Sequence, residues 1–386
     1  MKSKQKLGLI IILAVTTCLS GCWDSKTTES LNIPIAAGYE LVEDEQSNEQ
    51  QMQIYAVIPV FFENAPKKYI VDITDGMFVG ETRIMRHDHL GEKLSLGNFQ
   101  VAVLGKTLAA KGAGDVMNVL IRTPEMKKTV KLAVAEDDIN DIFKVEPKNY
   151  PNVGIYLNTL MDEGFRQLIM PQSTVHTFLV SMDTPGWHPI APILKAEKNI
   201  IYISGYAIFN KDKLAHTITL PEALILNILR NRSCNGIWSY SFMYKDNLSI
   251  SASVDVKNKT RIKVTRSDKG YRFDVDIKFS GSLIELIPND NYETLDSNLF
   301  KEENLLKSKD LISSVEKGFE NYMIEQCTAL IQKAQQDYGM DIFNWVKFAQ
   351  AKWRSELEDT DWDEIFSKSD VSVNVDVDIK HIGEQT

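Results

Sequence analysis

His87 and His89 stand two apart and would share one face of a strand, where two neutral imidazoles could begin a zinc site. No other His, Cys or carboxylate cluster completes that set, so a surface or half-buried pair is the plainer reading. Gly105-Lys106-Thr107 follows an apolar run and precedes a helical one, as a phosphate-cradling loop does, but that motif requires Gly at position 100 and this chain has Gln100. Gly112 and Gly114 lack the third glycine of a dinucleotide fingerprint, because Met117 stands in its place, and read as a helix break. Asp370, Asn374, Asp376 and Asp378 have the composition of a calcium loop, yet Val375 occupies the sixth position, where such a loop turns on glycine. Their alternation with valines makes them the wet face of a strand. His176, His188, His216 and His381 are scattered, and no Gly-x-Ser-x-Gly elbow or His-Glu-x-x-His helix recruits them. With no nucleophile beside an activating base, the sequence reads as non-enzymatic, without catalytic residues, metal or cofactor.

The residue with a chemistry of its own is Cys22. Lys2, Lys4 and Lys6 precede the apolar run Leu7 to Val15, which continues through Cys18 to Leu19-Ser20-Gly21-Cys22. That order of basic, apolar and small residues is an export signal. Cleavage between Gly21 and Cys22 would leave a thiol for alkylation by diacylglycerol, and two acyl chains anchor stably where one is marginal. The run Leu7 to Ser20 falls short of the ~20 residues that cross a bilayer as a helix, and no later stretch is apolar enough to do so. Three positive charges leave with residues 1–21, which takes the formal charge from -10 to -13 and argues against a nucleic-acid partner. Cys234 and Cys327 remain. Export would permit a bridge between them, but Cys327 lies on the apolar side of a helical pattern, where free buried thiols are common.

These residues belong to a folded chain, since 44% hydrophobic and 25% charged residues exclude disordered, collagen-like and multi-span membrane classes. Residues 24–32 read as a polar tether. Ile33 to Tyr39 and Gln51 to Phe61 read as strands around the polar loop Glu43 to Gln51, and Phe99 to Leu104 as another, ending at Gly105. Thr107 to Lys111 and Asp115 to Arg122 carry helical spacing, and Lys128 to Ala135 alternates as a strand does. Tyr150 to Leu168 predicts a helix, Pro171 to Met182 a second helix or an extended segment, and breaker-rich Asp183 to Pro192 a loop. A boundary near 195, ahead of the strand Ile200 to Phe209, separates an N-terminal α/β domain (22–195, with room for two subdomains) from a C-terminal α+β domain (196–386). A lipoprotein signal (1–21) precedes both.

In the second part Asn247 to Val256, Thr260 to Arg266 and Tyr271 to Ser280 alternate as an antiparallel meander, with a turn at Ser267 to Gly270. Leu311, Val315, Phe319, Met323, Cys327, Leu330 and Ala334 mark a long amphipathic helix that Gly339 terminates. Asp341 can cap the next helix. Val371, Val373, Val375, Val377 and Ile379 face one side of a last strand, opposite Ser372 to Lys380. The expected fold class is a multi-domain α+β protein, with mixed and antiparallel sheets and long amphipathic helices in the C-terminal domain.

Cys22-Trp23-Asp24, followed by Leu31, Ile33 and Gly38-Tyr39-Glu40, resembles the start of the spore germination receptor C-subunit family, the Ger(x)C-type lipoproteins of nutrient receptors. The stretch Phe99 to Gly112, with Val119 to Glu125 and Leu132 to Ala135, resembles that family's central block, and Ile203 to Leu214 the opening of its C-terminal domain. Tyr338-Gly339-Met340-Asp341-Ile342-Phe343, Trp353, Trp362 and Phe366 continue the likeness to a terminal valine strand ending at Gly383. Thr28, where the family usually has Leu, and Asn344-Trp345-Val346, in place of a glycine-containing stretch, depart from it. The resemblance implies a non-enzymatic subunit held by Cys22 on the outer, extracytoplasmic leaflet of the spore's inner membrane. There it would act with two integral membrane subunits, A and B, to trigger germination when a nutrient arrives.

Trp187 and His188 are the candidate partner contacts, since aromatics flanked by breakers often sit exposed; the plainer alternative is that they cover a domain junction. Trp353 and Trp362 read first as core. The runner-up function is a lipoprotein that binds solute for a transporter, which would hold a small ligand in a cleft between α/β lobes.

Overall fold

A computed structural model of the chain describes residues 31–43, 50–61, 65, 67–91, 93–166, 171–244, 248–268, 270–288, 309–358 and 360–382. Gly21, Cys22 and residues 24–30 of the expected tether lie outside them, while its last two residues, Leu31 and Asn32, form a strand. The chain enters through β1 (Leu31–Asn32), β2 (Ala36–Glu43), β3 (Gln50–Pro59) and β4 (Tyr69–Gly76), then α1 (Val79–Leu90) and the short β5 (Lys93–Leu94), which pairs in parallel with β1. Next come β6 (Val101–Leu104), α2 (Lys106–Lys111), α3 (Gly114–Arg122), β7 (Lys131–Ala135), α4 (Ile139–Phe143), α5 (Val153–Arg166), α6 (Val175–Asp183) and β8 (Ile190–Glu197). With β9 (Ile200–Asn210) and β10 (Lys213–Thr219), the strands form one sheet in the order β10-β9-β8-β7-β6-β2-β3-β4.

The centre of this sheet, β8-β7-β6-β2, is parallel, and both flanks are antiparallel. A parallel strand needs cover on both faces, and every residue of β6 and β7 is buried. Leu108, Met117 and Phe178 cover one face, and Ile139, Phe143 and Leu157 the other.

Two sequence expectations change here. Positions 87 and 89 fall in α1 instead of a strand, and residues two apart on a helix do not share a face. The loop expected over Asp183 to Pro192 contracts to about Thr184–Pro189, because β8 begins at Ile190 and runs through Pro192. Proline within a short apolar run argues against a strand, which is why β8 was not legible. The sheet thereby continues past position 195 to Thr219.

The remaining elements are α7 (Leu220–Leu229), β11 (Asn235–Tyr244), β12 (Leu248–Ser267), β13 (Gly270–Pro288), α8 (Lys309–Gln332), α9 (Val346–Leu357), α10 (Trp362–Lys368) and β14 (Asp370–Ile382). The sheet order is β11-β12-β13-β14, with β14 parallel to β13. The two strands expected at 247–256 and 260–266 are one continuous β12, and β11 is an additional edge. Leu311, Val315, Phe319, Met323 and Cys327 of α8 are buried against the sheet. The helix closes in a π-helical turn (Lys333–Tyr338) that stops at Gly339, whose left-handed φ of 61° suits glycine.

From α8, Glu316 and Glu320 accept the backbone N–H groups of Ile379 (3.0 Å) and Val377 (3.2 Å). The helix thus covers donors on a strand edge that would otherwise invite pairing with another chain. Cys234 and Cys327 are both free and buried. Burial pushes the thiol of Cys327 up to about 12 and that of Cys234 up to about 11, which keeps both unreactive at neutral pH.

Candidate functional site at the junction of the two sheets

An open α/β sheet places its ligand outside the carboxyl ends of its strands, where the strand order reverses. Here the reversal lies between β2 and β6. Glu40 fills it from within: its Oε1 accepts the N–H of Leu108 at 3.1 Å and that of Leu41 at 2.8 Å. A side-chain carboxylate therefore occupies the start of α2, a place where a helix would otherwise favour a bound anion. Gly105 makes the room, since a Cβ there would stand 1.8 Å from Glu40 Oε2. Burial raises the pKa of Glu40, and the amide donors oppose the rise. Glu40→Ala is expected to cost about 1–2 kcal/mol by orphaning those donors, and Gly105→Ala about 1–3 kcal/mol by overpacking. Urea midpoints that do not move in either variant would contradict this account.

A second contact joins two stretches far apart in sequence. The β9–β10 turn, with Lys211 at φ 56°, brings Asp212 onto the break between α2 and α3. Ala113 N–H donates to the Asp212 carbonyl at 2.9 Å, and Gly114 N–H to Asp212 Oδ2 at 3.2 Å. A Cβ at position 112 or 114 would meet that carboxylate at 2.6 or 2.9 Å, which gives the Gly-Ala-Gly break its physical reason.

The third contact is a buried polar hub. His188 is 4% exposed, and its Nε2 lies 3.0 Å from Asp363 Oδ1. The same oxygen accepts Asp341 N–H at 2.9 Å. The carboxylate of Asp341, fully buried, accepts N–H groups from Phe343 (3.1 Å), Val346 (2.9 Å) and the indole of Trp362 (2.8 Å). It therefore serves the first turn of α9 without being its N-cap, a place Trp345 holds. Arg230, at the end of α7, donates to the Ile342 carbonyl at 2.6 and 2.8 Å and to the His188 carbonyl at 3.5 Å. Burial lowers its pKa to about 9, with Arg232 adding to the fall and Asp341 opposing it.

The hub thus ties the 184–189 loop of the first sheet to α7 and α10 of the second. Trp187 is half-buried against the C-terminal core. The exposure expected of the pair is not found: His188 is buried and Trp187 half-buried, an arrangement in keeping with the alternative that they cover a domain junction. Trp362 is buried, and the Trp353 ring lies 5.2 Å from that of Tyr271, tilted by 48°.

Two clefts border the junction. One of ≈ 660 Å³ lies among Asp183, Trp187, His188, Lys211, Asp212 and Asp363. The other, ≈ 370 Å³, is lined by Lys106, Glu136, Ser204, Glu222 and Lys333. Charges around the second answer one another: Lys195 pairs with Glu136 at 2.8 Å, and Lys333 with Glu222 at 2.7 Å. Among the described residues no group of three or more His, Cys, Asp or Glu is placed to hold a metal ion. Sequence reasoning missed Glu40, Asp212 and Arg230 as positioning groups. The first two fill space that Gly105 and that Gly112 and Gly114 leave open, glycines remote from them in sequence, and Arg230 carried no signal.

The architecture is that of a two-part α+β protein, in which a parallel-centred sheet is locked to a helix-backed hairpin sheet. A profile described as the spore germination protein N-terminal domain matches residues 24–196, and one described as spore germination B3/GerAC-like, C-terminal, matches residues 204–383. The chain belongs to this GerAC-like family of spore germination proteins. Spore germination protein YndF of Bacillus subtilis (strain 168) is 20% identical, with 99% of each chain covered. Spore germination protein B3 of the same organism is 23% identical, also with 99% of each covered. The crystal structure of the GerBC protein superposes with a TM-score of 0.55 at 18% identity, covering 90% of this chain and 98% of that one. The fold is shared, and the family gives the chain a role in spore germination.

Proposed function

We propose that this chain is the non-enzymatic, lipid-anchored C subunit of a nutrient germinant receptor, held through Cys22 on the extracytoplasmic face of the spore's inner membrane beside integral membrane A and B subunits. The observation that carries the reading is the order of parts. Two germination-family segments fill the chain from residue 24 to 383, directly behind a signal that ends in Gly21-Cys22. No described helix is long and apolar enough to cross a membrane, so an acyl anchor would supply the attachment. Confinement to the plane of the partners raises their effective concentration, and modest contacts then suffice for assembly.

The junction supports a scaffolding role. Glu40 plugs the place where an α/β sheet would bind an anion, and the buried hub welds the two sheets into one body. Three of the four charges lining the smaller cleft, Glu136, Glu222 and Lys333, are held in ion pairs, which favours an assembly subunit over a solute carrier; calorimetry with candidate solutes tests that alternative. Cys22→Ala is expected to abolish lipid labelling and release the chain from the membrane fraction. Spores lacking the chain should lose the response to a particular nutrient set and hold less of the partner subunits. Normal lipidation of the variant would remove the anchor. Normal germination to every nutrient with partners at full abundance would remove the receptor role.

A further inference from the structure

The apolar surface around the β4–α1 turn is the least explained feature of the fold. Met77 and Phe78 at the apex are 68% and 62% exposed, and Ile84, the sixth residue of α1, is 66% exposed, with Met85 beside it. None of the residues quoted above as carrying the germination-family resemblance lies here. Part of the apex backbone is paired internally: Met77 N–H donates to Glu81 Oε2 at 2.7 Å, and the Phe78 carbonyl accepts from Glu81 N–H at 3.0 Å and Thr82 N–H at 3.3 Å. Each bond made within the turn removes a donor or acceptor that would otherwise be bare at a lipid interface. Over residues 67–94 five Lys and Arg balance five Asp and Glu, so this stretch is neutral in a chain of formal charge -10. An anionic bilayer would repel most of the surface more than this part of it.

Position names the occupant. The chain beyond the described residues leaves from β1, whose Leu31 pairs with Lys93 of β5, three residues after α1 ends. Adjacent strands lie ~5 Å apart, and a twelve-residue helix is ~18 Å long. The nine residues from Cys22 to Ser30 reach at most ~30 Å. An acyl anchor at Cys22 therefore holds both ends of α1 within reach of the same bilayer. We propose that the β4–α1 apex and the outer side of α1 dip into the lipid interface beside the anchor, Met77, Phe78 and Ile84 being the inserting side chains, and so fix the orientation of the subunit on the membrane. This rests on the lipid-anchor reading, and it commits to lipid as the occupant, not to a protein.

The test uses the full lipidated chain in vesicles of equal parts phosphatidylcholine and phosphatidylglycerol. Phe78→Cys and Ile84→Cys each carry an environment-sensitive thiol fluorophore, Ile237→Cys on the exposed side of β11 is the reference, and the two buried native thiols stay unlabelled. Blue-shifted emission and quenching by acyl-chain nitroxide lipids are expected at 78 and 84 but not at 237. In a Met77→Ser/Phe78→Ser background, the signal at 84 should return to the aqueous value while the chain still floats with the vesicles. Aqueous emission at 78 and 84 on floating chains overturns insertion and leaves the anchor standing. Shielding that appears only when membrane partner subunits are present overturns lipid as the occupant. Flotation that depends on Met77 and Phe78 sustains insertion and overturns the anchor, and chains that never float overturn both.

Discussion

Asp341→Ala lowers the free energy of unfolding by about 3–5 kcal/mol, because it leaves three buried N–H donors, those of Phe343, Val346 and the Trp362 indole, without acceptors at roughly 1–3 kcal/mol each. Asp341→Asn costs less, about 2 kcal/mol. The amide spares the burial of a charge but turns its NH₂ toward donors it cannot satisfy. The pH dependence separates these effects. Burial pushes Asp341 from 3.8 up to about 6, the hydrogen bonds from Trp362 and Val346 and the nearby His188 pull it down, and Asp363 adds to the rise.

A carboxyl whose folded pKa is raised binds protons more readily in the folded state, so its contribution to stability falls as pH rises between about 4 and 6 and is flat above that. The size is ~3 kcal/mol at 1.36 kcal/mol per pKa unit. Urea unfolding of wild type and Asp341→Asn at pH 4, 5, 6 and 7 checks it: the gap between them should be larger at pH 4 than at pH 7. A gap that is constant across the range would mean that Asp341 does not titrate in this window.

The parts of the fold that were legible are those whose pattern survives within one element. The valines of β14 and the three-four spacing of α8 needed no partner to be read. β8 was hidden by Pro192. β11 alternates Trp238, Tyr240, Phe242 and Tyr244 with Ser239, Ser241 and Met243, a signal present in the sequence but not read as one. β12 was split in two because Lys257, Asn258 and Lys259 look like a turn. In the sheet the lysines face water, while Asn258, buried, holds Cys234 N–H at 2.6 Å with its Oδ1.

The candidate site was legible only as fragments. Asp341, Trp362 and Phe366 stood in one resembling stretch, but the hub also needs His188 and Arg230, more than a hundred positions earlier, and no spacing rule connects those. The departure at Asn344 became intelligible only with the backbone in view. Its φ is 57°, the left-handed region where glycine is at ease and asparagine is tolerated better than most residues, so a left-handed turn forms there without a glycine.

Phe319→Ala is expected to cost about 3–5 kcal/mol, the range for truncating a fully buried aromatic whose site cannot collapse. Its ring stands 5.0 Å from Phe279, 5.2 Å from Tyr240 and 6.4 Å from both Trp238 and Tyr322. It therefore links α8 to β11 and β13 at once. The surroundings are fixed: Tyr240 donates its hydroxyl to the Val315 carbonyl at 2.6 Å, and Gly318 lets the helix approach until a Cβ would lie 2.7 Å from Phe242 Cγ. Neighbours tied in this way cannot move into the void, so the cavity term adds to the lost transfer energy. Phe319→Leu keeps most of the volume and should cost only about 1–1.5 kcal/mol. Urea midpoints and the near-ultraviolet dichroism of the ring cluster read both variants. Equal losses for Ala and Leu would show that ring geometry, and not filled volume, holds α8 to the sheet, while a loss under about 1 kcal/mol for Ala would mean that the helix relaxes onto β11 despite those ties.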